Sequence, residues 1–264
     1  MNEVLGMKKP VIGMVHLAPL TGSPFDEGLT REELFVRAKR DLDALLAAGF
    51  DGVSFSNESD RPFVNQVPRE DVALFTHIVT RLTEHLTVPF GCGMLIDPFA
   101  SLAVARAVGA SFVRVTYGVT AGIFGFEAHA PGEILRYRHR IGATGVQTFV
   151  NVVPHMGTSL DSRPLADLIA NAVAWANPNA VQVGGPSAGA APELGLVSEL
   201  RKRIPTTPII VSSGTTEASL PATLEVADAI IVGTSLKVNG SIWEPIDPRR
   251  ADSFMARVRE IRGN

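Results

Sequence analysis

His16, Glu58, Asp97, Arg114 and His155 stand within, at the end of, or just past short apolar runs of the chain. Two histidines and two carboxylates that converge on one cavity could move a proton at a carbon next to a carbonyl. The same four could equally hold a divalent metal. No H-E-x-x-H or similar close spacing occurs, so neither the metal nor any other cofactor is identified from the residues. Each residue also has a plainer reading. His16 could be a hydrogen-bonded core histidine, and Glu58, beside Asp60 and Arg61, a solvated loop carboxylate. Asp97 precedes Pro98 and could only cap a helix. Arg114 lies inside a β-run, where an unpaired charge is costly; it would pair with Asp97 or Glu58, or meet a substrate. His155 sits in a Pro/Gly loop. Lys237 would contact a phosphate or be solvated.

A second signal lies near the end of the chain. Pro208–Val211 ends in Ser212-Ser213-Gly214, and Ala229–Val232 ends in Gly233-Thr234-Ser235. Glycines at two neighbouring strand ends let backbone N–H groups approach an anion with no Cβ in the way. Ser213, Gly214, Gly233, Thr234 and Ser235 are therefore the expected phosphate-binding set, with chain turning as the alternative.

These residues need elements to hold them. Val11–Leu17 reads as a strand, followed by a Gly/Ser/Pro loop, and Thr30 with Glu33 forms the pattern of a capping box. The helix it opens places Leu34, Ala38, Leu42 and Leu45 on one face and ends at Gly49. The unit recurs, with strands at Gly52–Phe55, Phe90–Leu95, Phe112–Thr116, Val146–Val153 and Ala180–Val183. Helices are expected at Glu70–His85, Pro98–Val108, Glu133–Ile141, Arg163–Ala176, Pro192–Arg203, Thr216–Val226 and Pro248–Arg262. Eight strand–helix units in about 250 residues fit a single (β/α)8 barrel. Residues 1–264 are thus read as one domain, with Met1–Lys9 as a lead-in. An open doubly wound sheet would more often carry G-x-G-x-x-G after its first strand, and His16-Leu17-Ala18-Pro19-Leu20 is not that. In such a barrel function sits at the C-terminal strand ends, and the loops after strands seven and eight frequently bind phosphate. The Gly-rich stretch from Tyr117 to Gly132 is long for a connection and reads as a lid, a packed surface loop, or a contact to a second copy through Ile123, Phe124 and Phe126.

Bulk properties narrow the class. The chain has 264 residues, 45% of them hydrophobic and 19% charged, and a net charge of −3 with no basic run. That disfavours nucleic acid as a partner. One cysteine, Cys92, leaves no internal disulfide. No apolar stretch would span a bilayer, so the expected location is the cytoplasm, with peripheral membrane attachment still compatible.

The sequence resembles the BtpA/SgcQ family. The resemblance is carried by Val11–Pro24 (VIGMVHLAPLTGSP), by Phe55–Glu58 with Pro62-Phe63, and by Pro89–Gly91 with Asp97-Pro98. It continues through Phe112-Val113-Arg114, Glu133–Ala143 (EILRYRHRIGA) and Val232–Val238 (VGTSLKV) with Trp243, Pro245 and Asp247-Pro248. Ser56-Asn57-Glu58 and Asp97-Pro98 look more like the SgcQ-type branch. The resemblance implies a ribulose-phosphate-binding type of (β/α)8 barrel. One branch of the family is linked to photosystem I biogenesis as a membrane-associated assembly or stability factor, and another lies among sugar-utilisation proteins. Many members carry Asp-Val-x-Val-Lys-His on strand five; here the stretch is Asn151-Val152-Val153-Pro154-His155, so a carboxylate or lysine role there does not carry over. The combined expectation is a protein that binds a small phosphorylated metabolite, of sugar-phosphate or nucleoside type. It would carry out isomerisation, epimerisation or aldol-type chemistry. The alternative is a non-catalytic assembly factor.

Overall fold

The computed structural model describes residues 2–123, 125–153, 157–185, 189–190 and 194–263, with only the backbone at Glu127. Eight strands close a parallel barrel: β1 (Val11–His16), β2 (Gly52–Ser56), β3 (Phe90–Gly93), β4 (Phe112–Thr116), β7 (Gln147–Asn151), β9 (Ala180–Val183), β10 (Ile209–Val211) and β11 (Ala229–Val232). Around the barrel they run β1-β11-β10-β9-β7-β4-β3-β2, and β1 pairs with both β11 and β2 to close it. The expected (β/α)8 barrel is the observed architecture.

Side chains alternate between helix layer and barrel interior along each strand. Val11, Val15, Val53, Phe55, Val113 and Val115 belong to the larger core under the helices, whereas Ile12, Phe112, Phe149, Ile210 and Ile231 form a separate inner cluster. Phe112 and Phe149 stack at 4.5 Å between ring centroids. The neighbouring strand makes room for them: a Cβ on Gly91 would lie 2.2 Å from the Phe112 ring. The opening residues do more than lead in. Val4 is buried in this inner cluster, and the backbone of Asn2 donates to Asp228 at 2.7 Å.

The helices are α1 (Arg31–Ala48), α2 (Arg69–Thr83), α3 (Pro98–Val108), α4 (Pro131–Arg140), α5 (Leu165–Ala176), α6 (Leu194–Arg203), α7 (Leu220–Val226) and α8 (Pro248–Arg262). Both halves of the Thr30–Glu33 capping box are present, and Gly49 ends α1 in the left-handed conformation. The helix expected from Thr216 starts at Leu220 instead. Thr216 and Ser219 bond each other's backbone N–H groups through their hydroxyls, forming a turn that competes with helix. Pro192, where the sixth helix is expected to start, lies with residues 191–193 outside the described residues, as do 186–188.

The long Gly-rich connection is not irregular. It folds into a hairpin, β5 (Gly118–Gly122) and β6 (Gly125–His129), to which β8 (Gly157–Ser159) adds an antiparallel strand. This small sheet draws on the connections after two neighbouring barrel strands, β4 and β7. The side chain of Asn65 donates to the Phe126 carbonyl at 2.8 Å, tying β6 to the loop before α2. Phe124 lies outside the described residues.

Candidate functional site at the C-terminal mouth of the barrel

Going up each strand, the barrel interior changes from apolar to polar. On β1 the inward positions are Ile12, Met14 and His16; on β4 they are Phe112, Arg114 and Thr116. Arg114 is therefore placed one layer above the aromatic floor by strand alternation alone. Its Nε donates to Gln182 Oε1 at 2.8 Å, and its Nη1 meets Met14 Sδ at 3.4 Å. Gln182 is buried and in turn donates from Nε2 to the Phe149 carbonyl at 2.8 Å, which fixes its oxygen toward the guanidinium. Among the described residues, no carboxylate lies within ion-pair distance of Arg114.

His16 ends β1, with a buried Nδ1 that has no hydrogen-bond partner. Burial holds its pKa well below 6.5. Lys237 and then Arg114 push it in the same direction, and a backbone contact from Ile242 opposes them. The ring is neutral at physiological pH and has a nitrogen free to accept a proton. Glu58 follows β2. Burial raises its pKa, while the positive charges of Arg114 and Lys237 draw it back. Burial also lowers the Arg114 pKa, and Glu58 offsets that. The two shifts run in opposite directions, and both side chains line the same cavity.

His16, Glu58 and Arg114 open into one cavity of about 280 Å³, shared with Ser213, Gly214, Gly233, Thr234 and Ser235. The structure thus brings together three of the five expected catalytic residues and the whole expected phosphate set. A side chain would fit poorly at either glycine. Gly214 has φ +71, and a Cβ on Gly233 would come within 3.2 Å of Met14 and 3.5 Å of the His16 ring. Ser213 Oγ accepts the Gly185 N–H at 3.0 Å, and Ser235 Oγ donates to the Thr215 carbonyl at 2.8 Å, so the two loops are pinned to their neighbours.

Asp97 lines a smaller adjoining pocket of about 80 Å³ with Glu58, Arg114, Asn151 and Gln182. Its oxygens are engaged: Oδ1 accepts from Phe99 and Ala100, both at 2.9 Å, and Oδ2 accepts from Val67 at 3.1 Å. Asp97 caps α3 and ties down the loop before α2. His155 lies outside the described residues. Among the described residues no three His, Cys, Asp or Glu side chains group as a metal site. Cys92 is buried on β3, and its thiol is pushed up to about 12 by burial.

One contributor was not legible in the sequence, and Lys237 departs from its solvated reading. Arg250, in the first turn of α8, reaches the cavity and donates to the Ser235 carbonyl at 3.3 Å. In sequence it is one of several charges on an amphipathic helix. Lys237 is 2% exposed and is not solvated. Its Nζ donates to the Glu244 carbonyl at 2.8 Å and lies 3.9 Å from Asp41 Oδ2, while Asp41 Oδ1 accepts the Ile246 N–H at 3.2 Å. This buried pair anchors the 238–246 strap, whose Ile242 and Gly240 reach the cavity.

These polar groups gather at the C-terminal end of the parallel barrel, the end at which this fold carries its sites. The chain belongs to the BtpA family, whose model matches residues 7–260. It is 34% identical over 264 residues to the sgc region protein SgcQ of Escherichia coli K12, covering 99% of this chain and 98% of that one. It is 32% identical over 259 residues to the photosystem I biogenesis protein BtpA of Synechocystis, covering 95% and 88%. Among solved structures, N-(5'-phosphoribosyl)anthranilate isomerase from Pyrococcus furiosus superposes with a TM-score of 0.59 at 14% identity, covering 96% and 99% of the two chains. CdNal from Clostridium difficile, in complex with mannosamine, gives 0.60 at 14% identity, covering 96% and 76%. These structural likenesses are to the fold. Among the described residues, no helix is long and apolar enough to cross a membrane.

Proposed function

We propose that this protein, as one barrel domain, binds a small phosphorylated metabolite at the barrel mouth and moves a proton on it. The observation that carries this reading is that the two glycine-bearing strand ends and the His16–Glu58–Arg114 group open into one cavity. Ser213, Gly214 and Gly233–Ser235 hold the phosphate, with Arg250 adjacent. Glu58 and His16 exchange protons, and Arg114 neutralises the charge that develops. Asp97 positions the walls through its cap. The reaction classes that suit this set are isomerisation, epimerisation and aldol-type cleavage. The P. furiosus structural neighbour is by name an isomerase of a phosphoribosyl compound. A thermal-shift screen against sugar phosphates, nucleotides, inorganic phosphate and divalent metals tests the reading. The expected result is a saturable rise in Tm with one phosphorylated class, by linkage. A folded protein with no shift at millimolar concentration contradicts it.

A second reading is a non-catalytic assembly factor acting through an outer surface. It is favoured by exposed apolar side chains on the small sheet, Val119, Ile123, Phe126 and Leu160, and by the name of the Synechocystis relative. The same surface would serve self-association. Arg114→Ala and Asp97→Asn decide between the readings. Loss of function in complementation with a folded protein supports the enzyme, and wild-type behaviour supports the assembly factor.

A further inference from the structure

Arg114 is a charge inside a barrel, and its partners are neutral. Gln182 takes its Nε and the Met14 sulfur faces Nη1. No described group hydrogen-bonds Nη2. Arg114 is half-buried, and a partly desolvated cation whose hydrogen-bond partners are all neutral carries a cost that is recovered when an anion joins it. Glu58 is the nearest candidate to serve permanently. It stands outside ion-pair distance of Arg114, so it does not close the guanidinium's open side. The guanidinium is also held in a fixed orientation by a two-step chain, Arg114 to Gln182 to the Phe149 carbonyl. That chain has its anchor in the rigid aromatic floor. A planar fork held in this way suits a carboxylate better than a hydroxyl.

The cavity gives this fork a role distinct from the phosphate cradle. Ser213, Gly214 and Gly233–Ser235 form one wall, and Arg114 is shared between this space and the adjoining pocket that holds Asn151 and Gln182. We infer that the ligand is two-ended: a phosphate held by the strand-end loops and a carboxylate held by Arg114, so that the substrate class is a small phosphorylated organic acid rather than a simple sugar phosphate. This rests on the phosphate reading above and narrows it.

Matched ligands test this without any variant. Calorimetric titration of the wild-type protein with 3-phosphoglycerate and with glycerol 3-phosphate compares a carboxylate with a hydroxymethyl group at the same distance from a phosphate. A longer pair, 6-phosphogluconate and sorbitol 6-phosphate, covers a greater span. The expected result is at least tenfold tighter binding of the acid in one of the two pairs. In Arg114→Gln that advantage falls below threefold, while affinity for the neutral member changes less than threefold. Equal affinity within both pairs overturns the two-ended ligand and leaves the phosphate site standing. An equal loss for both members in Arg114→Gln overturns it as well. No binding of any of the four compounds, nor of inorganic phosphate, removes the phosphate reading itself.

Discussion

The two ends of the barrel interior are made from the same strands and have opposite chemistry. At the closed end, Val4, Ile12, Phe112, Phe149, Ile210 and Ile231 fill the space with apolar atoms. At the open end, His16 Nδ1 and the hydroxyls of Ser54 and Ser56 are buried without a hydrogen-bond partner, and Arg114 carries an unpaired charge. The step from Phe112 to Arg114 is two residues along one strand. Half of the barrel interior lowers the free energy of the fold, and the other half raises it to keep polar groups ready for a ligand.

The largest test of that division is at the floor. Phe149→Ala removes half of the stacked pair and should cost about 3–5 kcal/mol of stability, read from urea denaturation. Where the variant is still folded, its ligand affinity should be close to wild type. A large loss of affinity would break the division between floor and mouth. Gly91→Ala tests the same layer from the other side. The new methyl would meet the Phe112 ring at 2.2 Å, and the expected cost is about 1–3 kcal/mol. An unchanged denaturation midpoint would mean that the floor is looser than the packing implies.

The smallest effect is at the mouth and has the opposite sign. The folded-state pKa of Glu58 is raised, so the fold favours its protonated form. The native state then binds more protons than the unfolded chain above the ordinary glutamate range, and stability falls as pH rises through that window. Glu58→Gln should remove this slope and raise stability at pH 8 by roughly 0.5–2 kcal/mol, as replacing a strained functional group commonly does. His16 works the other way. Its pKa is lowered, so its contribution is intact above about 6.5 and is lost as pH falls below that value, when the unfolded chain takes the proton. His16→Gln should flatten stability between pH 5 and 7. Denaturation midpoints across pH check both signs, and parallel pH curves for wild type and variants would show that neither group is perturbed.

The barrel was legible because its strands are short β-branched runs with small residues at their ends, and because turn chemistry such as Thr30–Glu33 and Gly49 marks helix limits. The mouth was partly legible for a related reason. A charge that ends or interrupts an apolar run, as His16 and Arg114 do, must point into a cavity or find a partner. Arg250 lacked that signal because helix charges are ordinary. The burial of Lys237 was hidden because its partners, Asp41 and the Glu244 carbonyl, are remote in sequence or belong to the backbone. The β5–β6–β8 sheet was missed because glycine-rich alternation is a weak strand signal, and one of its three strands comes from a different connection. Asp97 shows the limit of residue type: the same carboxylate reads as an acid or as a cap until its N–H partners are known.

The most direct measurement is a crystal structure of the protein soaked with whichever phosphorylated compound gives the largest thermal shift. The account predicts a phosphate between Gly214 and the Gly233–Ser235 loop, within hydrogen-bond reach of backbone N–H groups, and the rest of the ligand directed toward Arg114 and Glu58. A ligand bound elsewhere, with the mouth unchanged, would contradict it.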